Sequence, residues 1–155
     1  MTYLIDVLND FEKAKEDGIW SSYVKYQGEC RAYYSNGRLK MVFSYKNMQL
    51  HGEYKDYYES GGLMNHEYYE EGKLHGKSLS YFLNGELMVD AFYVHGKLHG
   101  KYLEYCDNGF IKKEKEYNMG KCIIEAKHYL QTGELHGIKY YDNEGKFLRE
   151  EKFIK

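Results

Sequence analysis

The chain contains no proline among its 155 residues. Every backbone N–H is therefore free to enter a ladder, and no position carries the ring that confines a strand to a sheet edge. Long apolar runs are also missing. No stretch approaches the 18 or so residues a membrane helix needs. The start, Met1-Thr2-Tyr3-Leu4-Ile5-Asp6, has neither the basic opening nor the apolar stretch of a secretory leader. Cysteine is scarce and odd in number: Cys30, Cys106 and Cys122 form no CxxC pair. Such thiols read as reduced, cytoplasmic residues that fill space, with a reactive or metal-binding thiol as the alternative. Nor is there an excess of one charge. The net value is −2 with both signs interspersed, which argues against a salt-driven nucleic-acid binder and against general attraction to anionic membranes.

What is abundant is tyrosine, 19 copies, and glycine, 16 copies. Aromatic residues favour strands and scattered glycines favour turns. The tyrosines are also periodic. Tyr33, Tyr45, Tyr57, Tyr69, Tyr81, Tyr93, Tyr105, Tyr117, Tyr129 and Tyr141 stand twelve residues apart, and Phe153 takes the next slot. Alternate units differ, so the full period is 24. After Tyr33, Tyr57, Tyr81, Tyr105 and Tyr129 comes a short turn signal: Asn36-Gly37, Ser60-Gly61, Asn84-Gly85, Asn108-Gly109, Thr132-Gly133. Asn-Gly is the strongest short hairpin signal, because both residues tolerate positive φ. After the other tyrosines comes Gly-Lys-Leu-His-Gly, complete at 72–76 and 96–100 and partial elsewhere. The two connections belong on opposite edges of one sheet.

Twelve residues suit a strand of about seven plus a turn, and a helical repeat needs two helices per unit. The expected fold is all-β: a single-layer antiparallel β-meander of hairpin repeats, about ten strands, over residues 28–155. Residues 1–27 form a separate segment. There Leu4, Ile5, Leu8 and Phe11 at helical spacing, with Thr2 as N-cap and Gly18 as stop, predict an amphipathic helix over 2–17. Such a helix would cap the first strand or dock a partner. Arg149-Glu150-Glu151-Lys152 reads as a charged guard on the last strand.

Register stays open. A tight turn at Asn36-Gly37 pairs Tyr33 with Lys40 and puts alternate tyrosines on opposite faces. A turn centred on Leu39 sets Tyr33 across from Tyr45 and stacks the rings.

The pattern Tyr-x2-Asn-Gly-x-Leu followed by Tyr-x2-Gly-Lys-Leu-His-Gly resembles MORN repeats, most closely the variant found in bacterial antitoxin-like proteins and large DNA viruses. The resemblance covers roughly residues 28–155, with departures at Met48-Gln49, at Cys122-Ile123 and after Gly137. It implies an elongated hairpin meander used for protein interaction, dimerisation or lipid contact.

No constellation supports catalysis. His51, His75 and His99 recur every 24 residues, but copies two strands apart lie about 9–10 Å from one another, too far to share one ion. Adjacent carboxylates such as Glu70-Glu71 point to opposite faces of a strand. No nucleophile elbow or phosphate loop is present. The expectation is a non-catalytic cytoplasmic module with no cofactor and no metal, binding a protein partner or scaffolding it. Its central tyrosines, Tyr57, Tyr81 and Tyr105 or Tyr69 and Tyr93, are the candidate contacts. Packing of a thin sheet is their simpler role. The alternatives are a membrane or phosphoinositide surface using Lys73, Lys97 and Lys121, which share one repeat position, and self-assembly into homo-oligomers through exposed strands.

Overall fold

The computed structural model describes residues 28–47, 49–142 and 144–153. The helix expected over 2–17 lies outside the described residues. Within them the chain forms eleven strands: β1 Gly28–Tyr33, β2 Leu39–Lys46, β3 Gln49–Tyr57, β4 Leu63–Glu70, β5 Lys73–Tyr81, β6 Leu87–Val94, β7 Lys97–Tyr105, β8 Ile111–Asn118, β9 Lys121–Tyr129, β10 Leu135–Tyr141 and β11 Phe147–Lys152. They make one open antiparallel sheet in the order β1 to β11, each strand beside its sequence neighbours. From β1 to β10 the two kinds of connection alternate between its two edges, whereas the last, between Tyr141 and Phe147, has the hydrogen bonds of the Asn-Gly loops but lies on the other edge.

Their geometries are the reverse of the simplest expectation. At the Asn-Gly edge the loop is framed by Phe82 N–H donating to Glu86 O at 2.8 Å and Gly85 N–H donating to Phe82 O at 2.9 Å. Gly85 has φ 88°, whereas Asn84 stays at negative φ and accepts the Glu86 N–H on Oδ1 at 3.0 Å. This is a type I turn closed by a left-handed glycine. Turns with two left-handed residues occur on the other edge. His95 (φ 48°) and Gly96 (φ 79°) connect Val94 to Lys97, and Glu71 and Met119 hold the same conformation as His95.

In the body of β1–β2, Gly28 pairs with Tyr45 and Ala32 with Met41, the register of the tight turn, and one bulge moves Tyr33 onto Leu39. A second bulge falls on the Leu-His-Gly of β3, β5 and β7 and on the matching stretch of β9. Between β4 and β5 the pairing jumps from Glu67↔Ser78 to Tyr69↔Leu74. Gly76 in that bulge has φ 107°, and a Cβ there would stand 3.3 Å from the Tyr68 Cβ, so both conformation and space call for glycine.

Ordinary domains bury a core between two layers. Here one layer is described, and the burial pattern follows. The buried apolar residues are small: Cys30, Ala32, Ala91, Cys106 and Ala126. A short side chain can be shielded by taller neighbours on the same face, but a tall one cannot. Among the described residues no large side chain is fully buried.

Candidate functional site

The ladder pairings sort the strand residues onto two faces. Phe43 pairs with Tyr54, Tyr54 with Glu67, Glu67 with Ser78, Ser78 with Ala91, Ala91 with Tyr102, and Tyr102 with Lys115. Alternation from these places Tyr45, Tyr69, Tyr93 and Tyr117 on the same face. Tyr54 and Tyr69 meet edge to face at 5.8 Å and 64°, Tyr102 and Tyr117 at 6.1 Å and 76°, and Phe43 stacks on Tyr54 at 6.3 Å. Such pairs contribute about 0.5–1.5 kcal/mol beyond their area. The sheet thus has an aromatic face floored by small residues.

The rings shelter their own hydroxyls. Desolvation, helped by the nearby Asp56 and Glu67 carboxylates, pushes the Tyr54 phenol up to about 12. Tyr69 is raised further, first by desolvation and then by donating to Glu67 Oε2 at 2.8 Å. Burial also raises Tyr93, Tyr102 and Tyr117. Ser78 Oγ donates to the other Glu67 oxygen at 3.3 Å. Two more polar groups sit on this face. Burial works to raise the Glu104 carboxyl, but hydrogen bonds from Lys112 and Lys113 outweigh it and hold the group below its usual range. His128 is lowered by burial and then by Lys139, Lys113 and Lys115.

The opposite face is ionic. It carries the pairs Arg31–Glu29, Lys55–Glu53, Lys77–Asp90 and Lys127–Glu125 at 2.7–3.4 Å. Tyr57 lines a shallow depression there with Arg31, Val42, Glu53 and Lys55. Tyr129 donates to Glu114 at 3.2 Å, and Asp90 raises Tyr105 after desolvation.

The five candidate tyrosines therefore do not form one strip. Tyr69 and Tyr93 share the aromatic face, while Tyr57, Tyr81 and Tyr105 end their strands on the ionic side. Sequence reasoning missed Tyr54, Tyr102 and Tyr117 as partners of Tyr69 and Tyr93. Their signal was available, because residues joined by the ladder share a face, but it needed the register.

Lys73, Lys97 and Lys121 open β5, β7 and β9 on one edge, all exposed. Each packs its stem beside the turn glycine of the following hairpin. The built Cβ positions of Gly96, Gly120 and Gly145 fall 3.8, 3.7 and 3.3 Å from the Cβ atoms of Lys73, Lys97 and Lys121. None of the three makes an ion pair among the described residues. The same edge also holds Glu70, Glu71, Asp142 and Glu144.

The recurrent histidines are likewise two strands apart, but His75 has other neighbours. Its Nδ1 lies 3.1 Å from Glu70 Oε2, without the alignment of a hydrogen bond, so this buried nitrogen has no hydrogen-bond partner. The His95 ring stands against it, 4.9 Å between centroids and 72° between planes.

Among the described residues, an open sheet of stacked hairpins with unlike faces defines a repeat protein. Residues 26–47, 50–71 and 74–95 match the MORN repeat variant. MORN repeats are generally protein- or membrane-binding modules and are typically non-enzymatic. No curated protein matches the chain.

Proposed function

We propose that the protein is a non-catalytic cytoplasmic interaction module whose aromatic face receives a protein partner. One observation carries this reading. Among the described residues the rings of that face lie in a single layer, and no large side chain is fully buried. A surface of this kind offers apolar area with polar tips, the composition enriched at interfaces. Tyr69 and Tyr93 lie near the middle of the sheet, where binding energy concentrates. Holding the partner in place, as a scaffold does, and sequestering it, as an antitoxin does, are two uses of the same contact. The free cysteines, of which Cys30 and Cys106 are buried, support a reducing compartment.

The test is capture of partners from the native host by the full chain. Tyr69→Ala with Tyr93→Ala should release the captured protein, while Tyr81→Ala with Tyr105→Ala should not. Release by the second pair alone would refute the assignment of the face.

A second reading uses the Lys73, Lys97 and Lys121 row against an anionic bilayer. It is favoured by their shared edge and lack of ion pairs, and weakened by the acids interspersed there. Flotation with phosphatidylserine or phosphoinositide vesicles decides it: no salt-sensitive binding removes the membrane surface.

A further inference from the structure

We propose that Glu70, His75 and His95 form a binding site for a first-row divalent transition-metal ion, with Zn2+ as the type. The nitrogen and oxygen donors of these three residues lie within 4.8 Å of one another. The Glu70 Oε2 to His75 Nδ1 separation of 3.1 Å is already close to that of two ligands on one ion, since tetrahedral bonds of about 2.0–2.2 Å set neighbouring donors roughly 3.3–3.6 Å apart. The His95 donor closes to the same separation by rotation of an exposed side chain. Two imidazoles and a carboxylate are a borderline donor set that suits zinc and its neighbours, with a fourth position left to water.

The His75 Nδ1 atom is the second observation. It is buried and lacks a hydrogen-bond partner although a carboxylate oxygen stands beside it. Each unmet buried polar group costs about 1–3 kcal/mol. An ion between the two atoms would satisfy both.

The repeat supplies its own controls. His99 occupies the equivalent slot one repeat later, and its Nδ1 is also buried without a partner. There, however, Val94 stands where Glu70 would be and Met119 where His95 would be. At His51 the corresponding residues are Lys46 and Glu71. Only the His75 copy brings three ligands together. The turn holds the His95 backbone at φ 48°, as it holds Met119 at φ 49°, so the residue type there is not dictated by the fold. Glu70 and His75 alternate with Tyr69 and Leu74 along their strands, which puts the site away from the aromatic face and makes it independent of partner binding there. Lys73 and Lys97 on the same edge oppose a cation, so the affinity expected is moderate, in the micromolar range.

The full chain is titrated with zinc chloride by calorimetry at neutral pH. One ion should bind per chain. Glu70→Gln, His75→Ala and His95→Met should each weaken binding by roughly tenfold or more, while His99→Ala and Cys122→Ser should leave it unchanged. His95→Met copies the residue of the next turn, so its melting temperature without metal should match that of the parent and exclude misfolding. Histidine ring resonances should shift for His75 and His95 alone. Absence of saturable binding by the parent chain overturns the site, and so does binding that survives His75→Ala at the parent affinity.

Discussion

The two faces of this sheet are made by the same strands, yet they solve different problems. On one, Ser78, Ala91 and Ala126 are buried among taller neighbours, and polar groups such as Glu67 are partly sheltered. On the other, ion pairs sit in water, where each is worth about 0–1 kcal/mol. Alternation in a strand makes this possible without a second layer. The lesson is that a single layer can still have an inside, provided that short residues such as Ala91 and Ala126 are placed between taller ones on one side.

The contrast is broken most severely by filling the floor. Ala91→Leu, at a site 2% exposed between Ser78 and Tyr102, should cost about 1–3 kcal/mol. Phe92→Leu, one residue on and 44% exposed on the other face, should cost less than about 0.5 kcal/mol. Urea midpoints of the two variants measure the difference, and equal losses would mean that the faces are equivalent.

Alkali sharpens it next. The Tyr54 phenol is neutral in the folded chain up to about 12, but an unfolded tyrosine ionises near about 10. Its contribution is complete below the lower value and is lost as pH rises through the higher one. Stability should fall across that window, and Tyr54→Phe should flatten the fall.

Acid acts in the opposite sense through His128. Its folded value is depressed below the ordinary 6.5, so its contribution is present above about 6.5 and is lost as pH drops through the depressed folded value. His128→Gln should reduce the acid sensitivity of the melting temperature. An unchanged pH profile would show that the ring is no more desolvated than a surface histidine.

The smallest effect belongs to the ionic face. Lys127→Met removes the 3.0 Å contact with Glu125 and should change stability by less than about 0.5 kcal/mol, an effect that added salt largely abolishes.

Much of the scaffold was legible because it is written in one dimension. The spacing of Tyr33 to Tyr141 predicts extended segments, their succession and the assignment of turns to edges, and these are found except at the β10–β11 connection, which takes the loop type of the other edge. The count of about ten becomes eleven because Phe147–Lys152 forms a final strand around the Phe153 unit. Register was not legible. Two bulges per repeat, one at the left-handed glycine after Asn and one at Leu-His-Gly, add residues that spacing alone cannot assign to a face. Turn type was misjudged for a related reason. Asn36 uses its side chain to accept the Arg38 N–H at 3.0 Å rather than adopting positive φ, and the twist of the other edge imposes that conformation on Glu71, His95 and Met119. The cluster of Glu70, His75 and His95 was not legible from the period, which relates histidines in the same slot, whereas His95 reaches His75 from the following hairpin. A histidine in a turn position otherwise held by Asn47, Glu71 and Met119 is the trace it leaves in the sequence.

The strictly consecutive strand order has a consequence for how such a molecule changes over time. Because every rung is held only by the rungs beside it, gaining or losing a hairpin lengthens or shortens the object without disturbing the rest. Size is then a parameter that duplication can tune, and a new property, such as a histidine at a bend, can arise in one copy while its siblings keep the original design.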